Sequence, residues 1–370
     1  MPFRSGPSRT QVLEAMRRRR QHRLRVSACA LGVVLAAGCG GGTAPPPGEG
    51  PPPPVDSLHV FVVGFPAQRI PAGNGTTRQG VRLGRKLFYD RILSGDDTQS
   101  CGDCHAQAFG FTDNGRRFSV GIDGIAGTRN APSLANAGWR TSLFWDGRAA
   151  TLEKQALGPV PNPIEMHEEW NVAVAKLQAR AEYAPLFWEA FGTHTITPTL
   201  VVKAIAQFER TLVSANSRYD RYLLGFGTRT PEELRGYAVY VSERGDCFHC
   251  HIYNGFTDEA FHNNGLDSVY TDLGLGAITG DAHDMGKFKT PTLRNVEFTA
   301  PYMHDGRFAT LEQVIDHYNS GGFGTPTVDP FIRVGRGLGL TVQEKSDLLA
   351  FLKSLSDSTF LTNPDYGPPP

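Results

Sequence analysis

Two short strings carry the chemistry of this 370-residue chain: Cys101-Gly102-Asp103-Cys104-His105 and Cys247-Phe248-His249-Cys250-His251. Two thiols three positions apart, followed at once by an imidazole, form the attachment pattern of c-type haem. The thiols reach the two vinyl groups of one porphyrin as thioethers, and the adjacent His becomes the proximal iron ligand. Other chemistries fit less well. Zinc needs four ligands, and each string offers at most three nearby. Redox C-x-x-C pairs come with a βαβ pattern that this sequence lacks. A structural disulfide could serve one pair, hardly two alike. The remaining cysteines of the six, Cys29 and Cys39, lie in an N-terminal export segment, so none is left over. The expectation is two covalent haem c groups, with His105 and His251 on the irons.

Export fits that chemistry. Residues 1–38 hold eight of the 37 basic side chains and one of the 37 acidic ones, so the rest of the chain carries a net charge of −7. That balance excludes a basic nucleic-acid binder. Arg17 to Arg25 precede an apolar run, Val26 to Gly38, that is too short to span a bilayer and reads as a signal peptide. Leu35-Ala36-Ala37-Gly38-Cys39 resembles a lipobox, which makes Cys39 a lipidated N-terminus in the periplasm; simple cleavage without a lipid is the other reading. Residues 39–60 begin with a Pro- and Gly-dominated stretch that behaves as an extended tether.

An internal repeat divides the rest. Ten of the 22 positions from Pro132 to Glu153 are identical to those 159 residues later, from Pro291 to Glu312. The elements around them read as helices. Thr230-Pro231-Glu232-Glu233 is an N-cap, a first-turn proline and a capping box, and Thr341 with Glu344 caps a final helix. Behind Thr197-Pro198, Val201, Ile205, Phe208 and Leu212 form one apolar helical stripe, and Leu348, Phe351, Leu352 and Leu355 form another. Strand patterns are nearly absent. The expected fold is mainly α: two tandem cytochrome c-like haem domains, residues 61–226 and 227–370.

Divergence between the copies points to function. Phe144-Trp145-Asp146-Gly147-Arg148 places Trp145 where the second copy has His304; Gln155 stands opposite Val314, and Pro159 opposite Tyr318. With these strings the sequence resembles the bacterial diheme cytochrome c peroxidase family, which includes the methylamine-utilisation enzyme MauG, over roughly residues 78 to 356. The resemblance implies that the N-terminal haem is the peroxide site, with Gln155 and Glu165 in its distal pocket and Trp145 passing electrons between haems. It implies a calcium ion near Asn130 and the carbonyls of Thr299 and Pro301, and often a homodimer. Members that need reductive activation carry a His ligand where this chain has Ile122, so the first iron should be open when fully oxidised. Fourteen residues after His304 stands Tyr318, where MauG-like members have a Tyr ligand and electron-storing peroxidases a Met. His317, Met303, Met285 and His283 are competing ligands.

The leading expectation is a peroxidase reducing hydrogen peroxide to water with electrons from a small c-type cytochrome or cupredoxin. Glu165 would move the proton between the two peroxide oxygens. A MauG-like oxidase acting on a protein or small molecule is the alternative, and a non-catalytic electron carrier a third. Ile122 argues against the carrier, which needs both irons six-coordinate.

Overall fold

The computed structural model describes residues 56–370 apart from residue 253. The signal segment, Cys39 and most of the tether lie outside the described residues. In chain order the longer helices are α1 (Arg78–Tyr89), α2 (Leu152–Ala156), α3 (Trp170–Ala179), α4 (Tyr183–Phe191), α5 (Pro198–Glu209), α6 (Arg218–Leu223), α7 (Pro231–Tyr240), α8 (Leu311–Ser320), α9 (Val342–Lys353) and α10 (Ser358–Thr362). A two-stranded antiparallel sheet pairs β1 (Phe261–His262) with β2 (Phe288–Lys289), Phe261 opposite Lys289.

Each half is built on two crossing helices that meet through a glycine. In the first, α1 crosses α5 at Gly84, where an added Cβ would stand 1.9 Å from the Ala204 carbonyl oxygen and 3.0 Å from the Phe208 Cβ. In the second, α7 crosses α9 at Gly236, 1.9 Å from the Asp347 carbonyl oxygen and 2.9 Å from the Phe351 Cβ. Only a residue without Cβ lets backbones approach this closely. The caps are those the sequence predicts. Thr197, Thr230 and Thr341 each accept a backbone N–H three residues on, with Pro198 and Pro231 in the first turns of α5 and α7. Both apolar stripes are buried.

The sequence repeat is also a backbone repeat. Asn136 and Asn295 both adopt positive φ, as do Phe144 and Met303, and Gly147 and Gly306. Short antiparallel bridges close both loops, Leu143 with Ala149 and Tyr302 with Phe308. Thr151 caps α2 as Thr310 caps α8. The Asn136 amide bonds the Leu212 carbonyl, and the Asn295 amide that of Leu355, just past the ends of α5 and α9.

Two apolar clusters result. The first gathers Leu83, Phe88, Phe111, Phe187 and Phe208; the second Tyr219, Tyr240, Phe256 and Phe351. Sequence order and packing interleave at their edges. Tyr219 on α6 joins the second cluster, while Phe360 on α10 returns to the first and packs 5.4 Å from Phe111. The tail is held there by Gln107, which donates to the Phe360 and Asn363 carbonyls, and by Tyr89, which donates to Tyr366. Among the described residues no helix is long and apolar enough to cross a membrane.

Candidate haem sites and the wall between them

Both cysteine strings fold as single helical turns. Ser100 and Asp103 form a capping box on Cys101–Cys104, and Cys247–His249 is a 3-10 turn. None of the four thiols is in a disulfide. Burial pushes Cys104 and Cys247 up to about 12, so they are protonated until they react.

The histidines that follow are set as iron ligands. His105 Nδ1 lies 2.8 Å from the Phe111 carbonyl oxygen, and His251 Nδ1 3.0 Å from that of Phe256. A carbonyl only accepts, so each Nδ1 carries the proton and each Nε2 keeps its lone pair. Burial lowers both pKa values, which keeps the rings neutral and able to ligate. Phe111 and Phe256 adopt positive φ to turn these carbonyls.

A cavity of about 260 Å³ adjoins the second string. Its lining includes Cys247, Cys250, His251, Tyr318 and Met303, with an apolar floor of Val296, Leu311 and Ile315. Thiols, a free imidazole nitrogen and an oxygen or sulfur donor around an apolar space suit a porphyrin held by thioethers and ligated axially. Asn264 Nδ2 sits 3.5 Å from Tyr318 Oη and 3.4 Å from Met303 Sδ, so both candidate ligands share one amide. Burial pushes Tyr318 up to about 12. Of the other competitors, His317 Nε2 is bound to the Asn264 carbonyl, 3.0 Å away, and His283 is exposed beside Asp281. Met285 packs against Gly276 and is not among the residues lining the cavity.

Glu165 borders a separate cavity of about 360 Å³ with Phe144, Arg148, Lys154 and Asn162. Asn162 Nδ2 donates to Glu165 Oε1 over 2.7 Å. Burial raises the Glu165 pKa, partly offset by Asn162 and Arg148. The first attachment string is tied to the loop that meets Glu165 by Gln99, whose Nε2 lies 3.6 Å from Cys104 Sγ and donates to the Val120 carbonyl at 2.9 Å. Gln155 is half-buried on α2, next to Lys154, and is not part of that lining. The Ile122 amide donates to the Glu165 carbonyl, 3.0 Å away, and Gly121 passes within contact of residues 164 and 165. The loop around Ile122 therefore lies against Glu165, with an aliphatic side chain.

The segment between the cavities is Phe144-Trp145. Phe144 borders both, and Trp145 borders the second. Trp145 Nε1 donates to the Asn130 carbonyl at 2.7 Å, and the Asn130 amide to the His304 carbonyl at 2.7 Å. Arg148 stacks on the Phe144 ring, 3.4 Å from its centroid. Asn130 is buried, and Thr299 and Pro301 share its cavity. Sequence reasoning missed Phe144, Arg148 and Asn162. The Asp-Gly-Arg match drew attention only to the repeat, and Phe144 takes its place through a positive φ that its residue type does not announce.

A mainly helical chain with two C-x-x-C-H turns, two neutral ligand-ready histidines and an aromatic wall is a dihaem c-type oxidoreductase. Comparison with known proteins agrees. Residues 78–227 match the family model described as "Di-haem cytochrome c peroxidase". The chain is 38% identical to the methylamine utilization protein MauG of Methylorubrum extorquens over 77% of this chain and 80% of that protein. It is 33% identical to cytochrome c551 peroxidase of Nitrosomonas europaea, over 81% and 86%. A solved MauG-like protein associated with microbial copper homeostasis superposes with TM-score 0.79 at 40% identity, over 84% of this chain and 98% of that one. The chain belongs to the diheme cytochrome c peroxidase/MauG family, and two haem c groups follow from that membership.

Proposed function

We propose that the protein consumes hydrogen peroxide at the first haem site and uses the oxidising equivalents on a separate protein or small-molecule substrate, in the manner of MauG. The observation that carries this reading is Tyr318 in the cavity beside His251, where an electron-storing peroxidase would present Met. A phenolate favours ferric iron, whereas Met raises the potential. The second site is then poor at holding a donated electron in reserve and suited to sharing an oxidation.

Haem, when bound, supplies the electrons that cleave the oxygen–oxygen bond. The chain supplies proton handling and insulation. Glu165 would take the proton from one peroxide oxygen and return it to the other; its raised pKa makes both transfers accessible. Asn162 holds the carboxylate by one oxygen and leaves the other for peroxide. Gln155, half-buried on α2 outside the lining beside Glu165, takes no part in this proton path. Trp145, next to the Phe144 wall, carries electrons from the second site. Two electrons and two protons from the substrate complete the conversion of peroxide to two waters. Asn130 with the Thr299 and Pro301 carbonyls would hold a calcium ion behind Trp145. The leader from Arg17 to Gly38 supports export to the periplasm, with Cys39 as the proposed lipid anchor.

A donor-fed peroxidase is the second reading, favoured by Met303 Sδ within reach of the same amide as Tyr318. Potentiometry with and without Tyr318→Met separates the two. A MauG-like protein shows a low-potential second haem that rises sharply in the variant, and turns peroxide over slowly with reduced cytochrome c. A high wild-type potential unaffected by the substitution, with rapid donor-dependent turnover, overturns the proposal.

A further inference from the structure

His262, on β1, has both ring nitrogens on carboxylates. Nδ1 lies 2.5 Å from Asp329 Oδ2, and Nε2 2.8 Å from Asp258 Oδ2. A neutral imidazole carries one N–H and a carboxylate only accepts, so this ring holds both protons and a positive charge. The bonds to Asp258 and Asp329 push its pKa up to about 12. The acids are engaged on their other oxygens as well: the Ala260 amide donates to Asp258 Oδ1 and the Phe331 amide to Asp329 Oδ1, each over 2.9 Å. Burial raises both acids, but His262 and these amides bring them below the usual carboxylate range. Two ionised acids and one imidazolium leave the bridge with one net negative charge.

That charge sits against the second haem site. His262 and Asp329 line the same cavity as Cys250 and His251. One ring nitrogen of His262 and one carboxylate oxygen of Asp258 lie within 4.8 Å of Cys250 Sγ, the atom that joins the porphyrin. The Asp258 amide donates to the Cys250 carbonyl at 2.8 Å, and the Asp329 amide to the Asn263 carbonyl at 2.9 Å. Phe331 and Ile332, just past Asp329, line the cavity too, so the bridge fastens its wall to the attachment turn. The three groups are not a metal site, because the thioether takes the sulfur and both ring nitrogens carry protons. The first half lacks the bridge. Phe111-Thr112-Asp113 follows its string as Phe256-Thr257-Asp258 follows the second, yet Asp113 is buried with no hydrogen bond to either carboxylate oxygen, and Arg116 stands 3.7 Å away.

We infer that His262 is a positioning residue of the second haem, and that the Asp258–His262–Asp329 bridge biases this haem toward its oxidised form. Reduction adds an electron to the porphyrin–iron unit, and a fixed negative charge a few ångströms from the attachment sulfur opposes it. Partial burial strengthens the effect, since only 14–23% of each of these side chains is exposed to screening solvent. The bridge acts in the same sense as a Tyr318 phenolate but does not need one, because it belongs to the attachment turn whichever group supplies the sixth ligand.

The test is potentiometry of the haem-loaded protein at pH 8, with each haem followed by its own electron paramagnetic resonance signal. Asp329→Asn keeps an oxygen for His262 Nδ1 and removes one negative charge; His262→Gln removes the positive charge and leaves both acids. The midpoint of the second haem should rise in the first variant and fall in the second. Each shift should be about tenfold in the ferric-to-ferrous ratio, or about 59 mV for one electron, with the first haem moved far less. Shifts in one direction in both variants, as a merely loosened and wetter wall would give, overturn the inference, and so does the absence of any shift. Should His262→Gln load no haem, Asp329→Asn decides alone: a rise supports the bridge, and a fall or no change overturns it. A high wild-type potential would sink the MauG-like reading but leave the opposed signs as the measure of the bridge, so the two failures are distinguishable.

Discussion

Glu165→Gln removes a proton-carrying oxygen and leaves the shape of the side chain unchanged. The replacement amide keeps an oxygen to accept the 2.7 Å bond from Asn162, so the turn from 162 to 167 and the Ile122 contact should persist. What disappears is a group that both takes and returns a proton, which elsewhere contributes about 10²- to 10⁴-fold to rate. That corresponds to about 3–5 kcal/mol in the barrier. Stopped-flow mixing of the ferric protein with peroxide, followed in the Soret band, measures the bimolecular step directly. A fall of about two to four decades is expected, with both haems retained. The pH profile supplies a second readout. Burial raises the Glu165 pKa, so the proton-accepting carboxylate is lost as pH falls through that raised value. The wild-type rate should decline on the acid side, and the variant profile should be flat there. A variant within about threefold of wild type at neutral pH, against the decades expected of an acid–base group, would remove Glu165 from the mechanism.

Other outcomes are equally open to measurement. Trp145→Phe removes the 2.7 Å bond to Asn130 and should leave the peroxide step intact while abolishing the fast spectral response of the second haem; an unchanged response would make Trp145 simple packing. Gly84→Ala and Gly236→Ala each push a Cβ into a helix backbone and should cost about 1–3 kcal/mol, read as a lower Tm; unchanged melting would contradict the close crossings. Burial raises Glu209 from 4.5 to about 8, so the stability associated with its protonated form is present below the ordinary Glu range and lost as pH rises through 8. Glu209→Gln should therefore raise Tm at pH 9 and change it little at pH 5, and a constant difference across that range would rule out the buried acid as its source.

Much of this was legible in the residues. The C-x-x-C-H strings show their chemistry because attachment is covalent and local, needing two thiols and an imidazole within five positions. Helix starts at Thr197, Thr230 and Thr341 were legible for the same reason, since a cap is settled within one turn. The repeat exposed two related units because the same loop had to be built twice. Helix-crossing glycines were not legible: Gly84 and Gly236 resemble any other glycine until Ala204 and Asp347, more than 100 residues away, press against them.

The sequence by itself determined what is bonded to what along the chain: two haem attachments, an asymmetry between Trp145 and His304, and a Tyr where a Met could stand. Tertiary structure decided which groups face one another across space. It put Phe144 on both cavities, paired Asn162 with Glu165, brought Met303 within reach of the amide that contacts Tyr318, and kept Gln155 out of the lining beside Glu165. The reason is range. Bonds and caps act over a few residues, whereas a distal pocket is the meeting of segments that only the packed cores hold together.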